Sequence, residues 1–193
     1  MNYQAIPAFA NTTKLAASLK TFLMNNYTEK YRTGGKRILA AIVDGIVFMP
    51  FLLVDRFLLG PTSNQFLLVG WGIFTIFIPI FYSIIAHYSY GKTIGKWVVG
   101  VKVLDVSEQR NISIFQSFLR DGVYLLVQFS ALVYYAIRVY RSGEVQYLLS
   151  DFNGFATIPV FFWTLIELVT MLTNSKRRAV HDYIARSVVV RSQ

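Results

Sequence analysis

The sequence predicts an all-α integral membrane protein with four transmembrane helices, both termini cytoplasmic, an amphipathic N-terminal helix and a small cytoplasmic β element. Composition is the first reason: 54% of the 193 residues are hydrophobic and 15% are charged, whereas soluble domains carry about 25% charged residues. The second reason is that the apolar residues form blocks long enough to cross a bilayer, which takes about 20 residues. The third reason is the placement of the basic residues.

Four apolar blocks define the predicted membrane helices. They lie at about residues 37–59, 66–87, 118–138 and 152–173. Polar connections at residues 60–64 and 138–151 join them in two pairs, because clusters of Gly, Pro, Ser and Asn mark loops. The chain therefore divides into a cytoplasmic N-terminal segment, residues 1–33, and a four-helix membrane domain, residues 34–193.

Basic residues predict the orientation of these helices. Sixteen of the 19 lysines and arginines precede the first helix, lie between the second and third, or follow the fourth; only Arg56, Arg138 and Arg141 lie on the other side. Positive charge accumulates on the cytoplasmic side of membrane proteins, which places both termini there. The same distribution accounts for the net charge of +9, and we expect no binding to nucleic acid.

Two cytoplasmic elements are expected outside the bilayer. Residues 12–31 carry a set of apolar side chains with lysines among them: Leu15, Leu19, Phe22 and Leu23 with Lys14 and Lys20. This pattern predicts an amphipathic helix that lies on the membrane surface or packs on the protein itself. Alternation over Trp97–Val106 and the run Ser187–Arg191 predict two short strands, whose pairing would join the C-terminus to the loop between helices 2 and 3.

The most informative residue is Asp44, a carboxylate inside the first apolar block, seven residues after Arg37. A carboxylate in hydrocarbon is costly and usually faces protein or water. Helical side chains lean toward the N-terminus, so Arg37 leans away from Asp44 and we expect no direct salt bridge between them. Glu167 lies at a similar depth, roughly 10 Å from the cytoplasmic end of helix 4 by helical rise.

Other ionisable groups occupy the cytoplasmic ends of the remaining helices. Arg120 and Asp121 begin helix 3, and His87 ends helix 2 at the expected membrane boundary. A polar cavity open to the cytoplasm would satisfy all of these groups together. Buried charges also lock helices without further function, and for Asp121 the structural interpretation is favoured because a carboxylate in a first turn stabilises the helix dipole.

Catalytic and metal-binding signals are weak. The chain has no cysteine, which excludes disulfides and thiol chemistry. Gly91–Lys96 lacks the spacing of a phosphate-binding loop and the Ser or Thr after the lysine. His181–Asp182 is an isolated pair in a chain with only two histidines. We therefore expect no enzyme, no metal and no cofactor.

Three blocks of sequence together resemble the RDD family of bacterial membrane proteins. They are Arg37–Asp44, then Gly91–Val103 with Phe115–Arg120, and Arg178–Val190, spread over residues 34–191. The family is named for one arginine and two aspartates. Arg37 and Asp44 match the first two, and Asp182 resembles the third, with Asp121 as the rival position. Arg186 departs from the pattern, which usually has a small residue there.

This resemblance implies a transporter in the bacterial cytoplasmic membrane that exchanges a monovalent cation for protons. Asp44, Glu167 and Asp182 are then the candidate ion- or proton-binding groups, with Arg37, Arg120 and Asp121 as a supporting polar cluster. Four helices make a thin pathway, so we expect a homo-oligomer or a protein partner. The alternative is a non-transporting scaffold or accessory subunit that binds a protein or lipid.

Overall fold

The structure is a computed structural model that describes residues 8–58, 65–142 and 148–192. Seven helices and two strands follow one another in these ranges. They are α1 (Ala8–Tyr31), α2 (Gly34–Leu58), α3 (Gln65–Tyr90), α4 (Ile94–Val98), β1 (Val101–Asp105), α5 (Ile114–Ser142), α6 (Leu148–Thr173), α7 (Val180–Ile184) and β2 (Ser187–Arg191). The predicted connection 60–64, the middle of the connection 138–151 and residues 1–7 of the N-terminal segment lie outside the described residues.

Long helices form where the sequence predicts the four apolar blocks. Within the part of the chain that the structure describes, Val69–Tyr90 and Phe155–Thr173 are long and apolar enough to cross a membrane. Their large apolar side chains point outward; Phe81, Ile85, Phe161 and Val169 are all exposed. Such surface needs an apolar environment to cover it. The long helices α3, α5 and α6 meet around a small core of Ala131, Tyr135 and Ala156.

The two strands pair as the alternation predicts. β1 and β2 form an antiparallel two-stranded sheet in which Val103 lies opposite Val189. The predicted first strand began too early, because Ile94–Val98 form the short helix α4. The Thr93 side chain caps this helix by accepting a hydrogen bond from the Lys96 amide, and a capped turn overrides strand propensity.

The end of α1 is fastened to the sheet. Tyr31 packs against Val188 and Val190 of β2. Glu108, in the loop after β1, accepts hydrogen bonds from Tyr31, from Lys30 at 2.5 Å and from Lys176 at 3.3 Å. Further toward its N-terminus, α1 exposes Leu15, Leu19, Phe22, Leu23 and Met24. A helix is therefore present where the sequence predicts one, and its polar and apolar side chains are both largely exposed over residues 14–25 and 27–30.

Candidate functional site

Asp182 holds together two arginines from different helices. Its carboxylate lies 2.6 Å from the Arg37 guanidinium of α2 and 2.8 Å from the Arg120 guanidinium of α5. All three side chains are buried, with Asp182 fully inaccessible. Burial alone would raise the pKa of Asp182, but the two guanidiniums outweigh it and hold that pKa well below its usual value. Asp182 is therefore charged at neutral pH and joins α2, α5 and α7.

Asp44 fixes α4 against α2. Its Oδ1 accepts from the Gly95 amide at 2.8 Å and from the Tyr82 hydroxyl at 3.2 Å, and its Oδ2 accepts from the Thr93 hydroxyl at 2.6 Å. Arg37 bonds to Asp182 and not to Asp44, which confirms the expectation from side-chain direction. Asp44 takes its partners from α3 and from the segment 93–95, so its charge is stabilised by three donors.

Gly95 makes this arrangement possible. A Cβ atom at residue 95 would lie 2.1 Å from the carbonyl oxygen of Ala40 and 2.8 Å from the Asp44 carboxylate. Only glycine permits backbone to approach this closely. Gly91 and Gly100, which flank α4, adopt positive φ angles of 70° and 67°. The glycines of Gly91–Gly100 thus shape a turn that seats α4 on α2.

A second chain of polar contacts runs from α5 through α3 to α4. Asp121 accepts from the Ser83 hydroxyl at 2.9 Å, Ser83 lies 3.2 Å from His87 Nδ1, and His87 Nε2 lies 2.5 Å from Lys96 Nζ. His87 is only 2% exposed, although the sequence placed it at the membrane boundary. Its ring contacts the Lys96 side chain of α4 at this end of α3.

Lys96 was missed by sequence reasoning, which treated it as one of the basic residues that set topology. Burial lowers the pKa of Lys96 to about 7, and repulsion from Arg120 and Arg37 adds to that effect. Near neutral pH this amine therefore loses its charge. The signal available in the sequence was its position between Gly95 and Gly100, because glycines often mark places where two backbone segments approach closely.

Glu167 and His181 form the pair that faces the interior. His181 Nδ1 hydrogen bonds to Glu167 Oε1, and the Tyr124 hydroxyl lies 3.5 Å from Glu167 Oε2. The other ring nitrogen, Nε2, lies 3.0 Å from both Arg37 and Arg120. Nε2 also lies 3.3 Å from Asp182 Oδ1. His181 thus links the Glu167 carboxylate to the two arginines and to Asp182.

These groups surround a cavity of about 270 Å³ between α2, α5 and α6. Its polar lining consists of Arg37, Asp44, Lys96, Arg120, Tyr124, Thr164, Glu167 and His181. Asp182 and Asp121 lie behind this lining, each bonded to residues near it. Four of the six predicted site residues thus line the cavity, Asp182 pairs with two of them, and Asp121 bonds to Ser83 outside the lining. Among the residues the structure describes, no group of acidic and histidine side chains has the arrangement of a metal site.

Apolar helices around a polar cavity define a helical membrane protein with an internal polar site. The family model of the RDD family matches residues 31–186, and the chain belongs to the RDD family. No curated protein matches the chain, and no solved structure does. The fold and site above therefore stand on this chain's own geometry.

Proposed function

We propose that this protein exchanges a monovalent cation for protons across the bacterial cytoplasmic membrane, and that Glu167 is the exchanging group. The observation that supports this assignment is that Glu167 lines the cavity and contacts the His181 ring and the Tyr124 hydroxyl. One carboxylate that binds either a proton or a cation couples the two by competition. A small set of ionisable groups inside a membrane is typical of such pathways.

The charge balance of the cavity supports a cation over an anion. Asp182 neutralises part of the Arg37 and Arg120 charge, and both guanidiniums also donate to His181 Nε2. Lys96 loses its charge near neutral pH. The Glu167 carboxylate and the Tyr124 and Thr164 hydroxyls remain as oxygen atoms around the cavity, and oxygen ligands suit hard monovalent cations better than they suit anions.

The roles of the two deep carboxylates differ in this proposal. Asp44 accepts three hydrogen bonds from groups that do not titrate near neutral pH. A proton on the Asp44 carboxylate would therefore disrupt the packing of α4 on α2. Glu167 lines the cavity and has a longer contact of 3.5 Å to Tyr124, which leaves it freer to change partners. We therefore assign exchange to Glu167, and positioning of α4 to Asp44.

The proposed topology has α2, α3, α5 and α6 crossing the membrane with both termini cytoplasmic. The basic residues support it, because 16 of 19 lie on the side that holds α1, α4, α7 and the sheet. The cavity then opens within the cytoplasmic leaflet. Four helices enclose only a narrow path. We therefore propose that two or more copies assemble side by side within the bilayer.

The test is pH-driven sodium and lithium flux into liposomes that contain the purified chain. Glu167→Gln keeps the shape of the side chain and removes the exchangeable charge, and we expect flux to fall to background. Glu108→Gln, which changes a carboxylate in the cytoplasmic loop, is the matched control and should retain flux. Wild-type flux in Glu167→Gln, in protein that unfolds at the wild-type temperature, would contradict the assignment.

The second candidate is a non-transporting scaffold or accessory subunit. The observation that favours it is that both Asp44 and Asp182 are fully bonded within the protein, as a static network requires. Purification in several mild detergents discriminates between the two functions. A stoichiometric protein that co-purifies, together with no flux in liposomes, would favour the scaffold; flux from the isolated chain would exclude it.

A further inference from the structure

A second cavity lies between the last turns of α1 and the end of α6, away from the internal site. We call it the α1–α6 pocket; its volume is about 420 Å³. Thr28 and Arg32 line it from the side of α1, and Ser175 and Arg177 line it from the segment after α6. Two guanidiniums and two hydroxyls around one cavity suit a phosphate group, because arginine binds phosphate through paired donors.

The positive charge of this pocket is only weakly compensated. Arg32 lies 3.4 Å from Glu29 and its side chain is 77% exposed, while Glu29 is held more closely by Arg191 at 2.5 Å. Arg177 donates to the carbonyl oxygen of Leu172 and has no carboxylate partner within the described ranges. The pocket therefore attracts an anion that the chain itself does not supply.

An apolar groove continues from the pocket along α1. This α1 groove, about 490 Å³ in volume, is a shallow and open face formed by α1 alone. Leu19, Leu23 and Met24 line it together with Lys20, and it shares Tyr27 and Thr28 with the α1–α6 pocket. The three apolar side chains are each more than half exposed. A basic pocket that opens directly into an apolar groove matches a molecule with an anionic head and a hydrocarbon tail.

The position of the pocket agrees with such a ligand. The apolar stretch Phe155–Thr173 of α6, which is long enough to cross a membrane, ends at the pocket, where Leu172 and Thr173 contribute to its wall. The headgroups of a bilayer lie at the ends of membrane helices, where basic residues collect. A phosphate bound by Arg32 and Arg177 would thus be at headgroup depth.

We propose that the α1–α6 pocket binds the headgroup phosphate of an anionic phospholipid, with an acyl chain in the α1 groove. Binding would cover the exposed apolar face of α1 and hold this helix at the membrane surface. Free phosphate shares the chemistry of the headgroup but leaves the groove empty, which is why the groove identifies the lipid. This site is separate from the cavity at Glu167 and does not depend on transport.

The experiment is native mass spectrometry of the full chain, released from detergent with phosphatidylglycerol or phosphatidylcholine added. We expect retained phosphatidylglycerol to decrease about 25-fold in Arg32→Gln/Arg177→Gln, because each basic residue near an anionic headgroup contributes about a five-fold factor. The matched control Lys92→Gln/Arg110→Gln removes the same charge elsewhere and should retain phosphatidylglycerol as the wild type does. Equal retention by both double variants would overturn the proposal.

Two further arms identify the ligand. Leu19→Gln/Leu23→Gln changes only the groove and should weaken binding of long-chain phosphatidylglycerol, with little effect on a short-chain, water-soluble form. Inorganic phosphate at tens of millimolar should not displace the lipid. Displacement by inorganic phosphate, or unchanged binding of long-chain lipid in the groove variant, would show an anion site without a lipid and would overturn the assignment.

Discussion

Replacing Asp182 by asparagine tests whether one carboxylate holds α2, α5 and α7 together. The substitution keeps the size of the side chain but leaves Arg37, 9% exposed, and Arg120, 4% exposed, without the charge that lies 2.6 and 2.8 Å away. Removing one partner of a buried ion pair costs about 3–5 kcal/mol. At about 2–4 °C per kcal/mol for a chain of this size, the unfolding temperature in detergent should decrease by roughly 10 °C.

The matched control is Glu29→Gln, because Glu29 also lies within reach of two arginines, Arg32 and Arg191. Glu29 is 51% exposed, and exposed pairs contribute less than about 1 kcal/mol. The assay is thermal unfolding followed by intrinsic fluorescence. If Asp182→Asn and Glu29→Gln lower the unfolding temperature equally, burial does not determine the strength of the Asp182 pairs and the reasoning is refuted.

The lowered pKa of Asp182 also predicts the direction in which acid changes the stability of the protein. Because the pKa of Asp182 is lower in the folded protein than in the unfolded chain, its stabilising contribution is present above the ordinary carboxyl range. That contribution is lost as the pH falls toward the lowered pKa. Asp182→Asn should therefore destabilise the protein at neutral pH and differ less from the wild type in strong acid. A difference that grows with acidity would contradict this sign.

Two other substitutions test the seat of α4. Gly95→Ala should destabilise the protein by several kcal/mol, because its Cβ would lie 2.1 Å from a backbone oxygen, whereas Gly45→Ala, which meets nothing within 4 Å, should be neutral or stabilising in thermal unfolding. Lys96→Met tests the lowered pKa of the Lys96 amine. The unfolded chain keeps the proton of this amine up to about pH 10.5 and the folded protein only up to about pH 7. The free energy of unfolding of the wild type should therefore rise with pH between these two values. The rise should weaken in Lys96→Met and persist in Lys92→Met; similar slopes in all three proteins would contradict it.

The long helices and the sheet were accessible from sequence because each has a local pattern. Apolar blocks predicted α2, α3 and α6, and alternating valines predicted β1 and β2 with their pairing. The start of β1 was wrong because the turn at Gly95 is set by contact with α2, which lies 51 residues earlier at Asp44. Contacts of that kind have no local signature.

The candidate site was likewise predictable from the sequence only in part. Counting residues along the helices predicted that Asp44 and Glu167 lie at the same depth in the membrane. The direction of helical side chains predicted that Arg37 and Asp44 form no salt bridge. The true partners, Asp182 for Arg37 and His181 for Glu167, depend on how the C-terminal segment folds back. For Lys96 the sequence offered only the glycines on either side, since its lowered pKa arises from burial in the folded protein and then from two arginines on other helices.

The position of Asp182 in the chain has a consequence for biogenesis. Arg37 and Arg120 leave the ribosome long before residue 182, so each enters the membrane region without the carboxylate that it contacts in the finished fold. Only when α7 and β2 have been made can β2 pair with β1 and bring Asp182 between the two arginines. Translation must therefore pass residue 191 before this part of the fold can form, and a chain that stops before residue 182 has two arginines without their carboxylate partner.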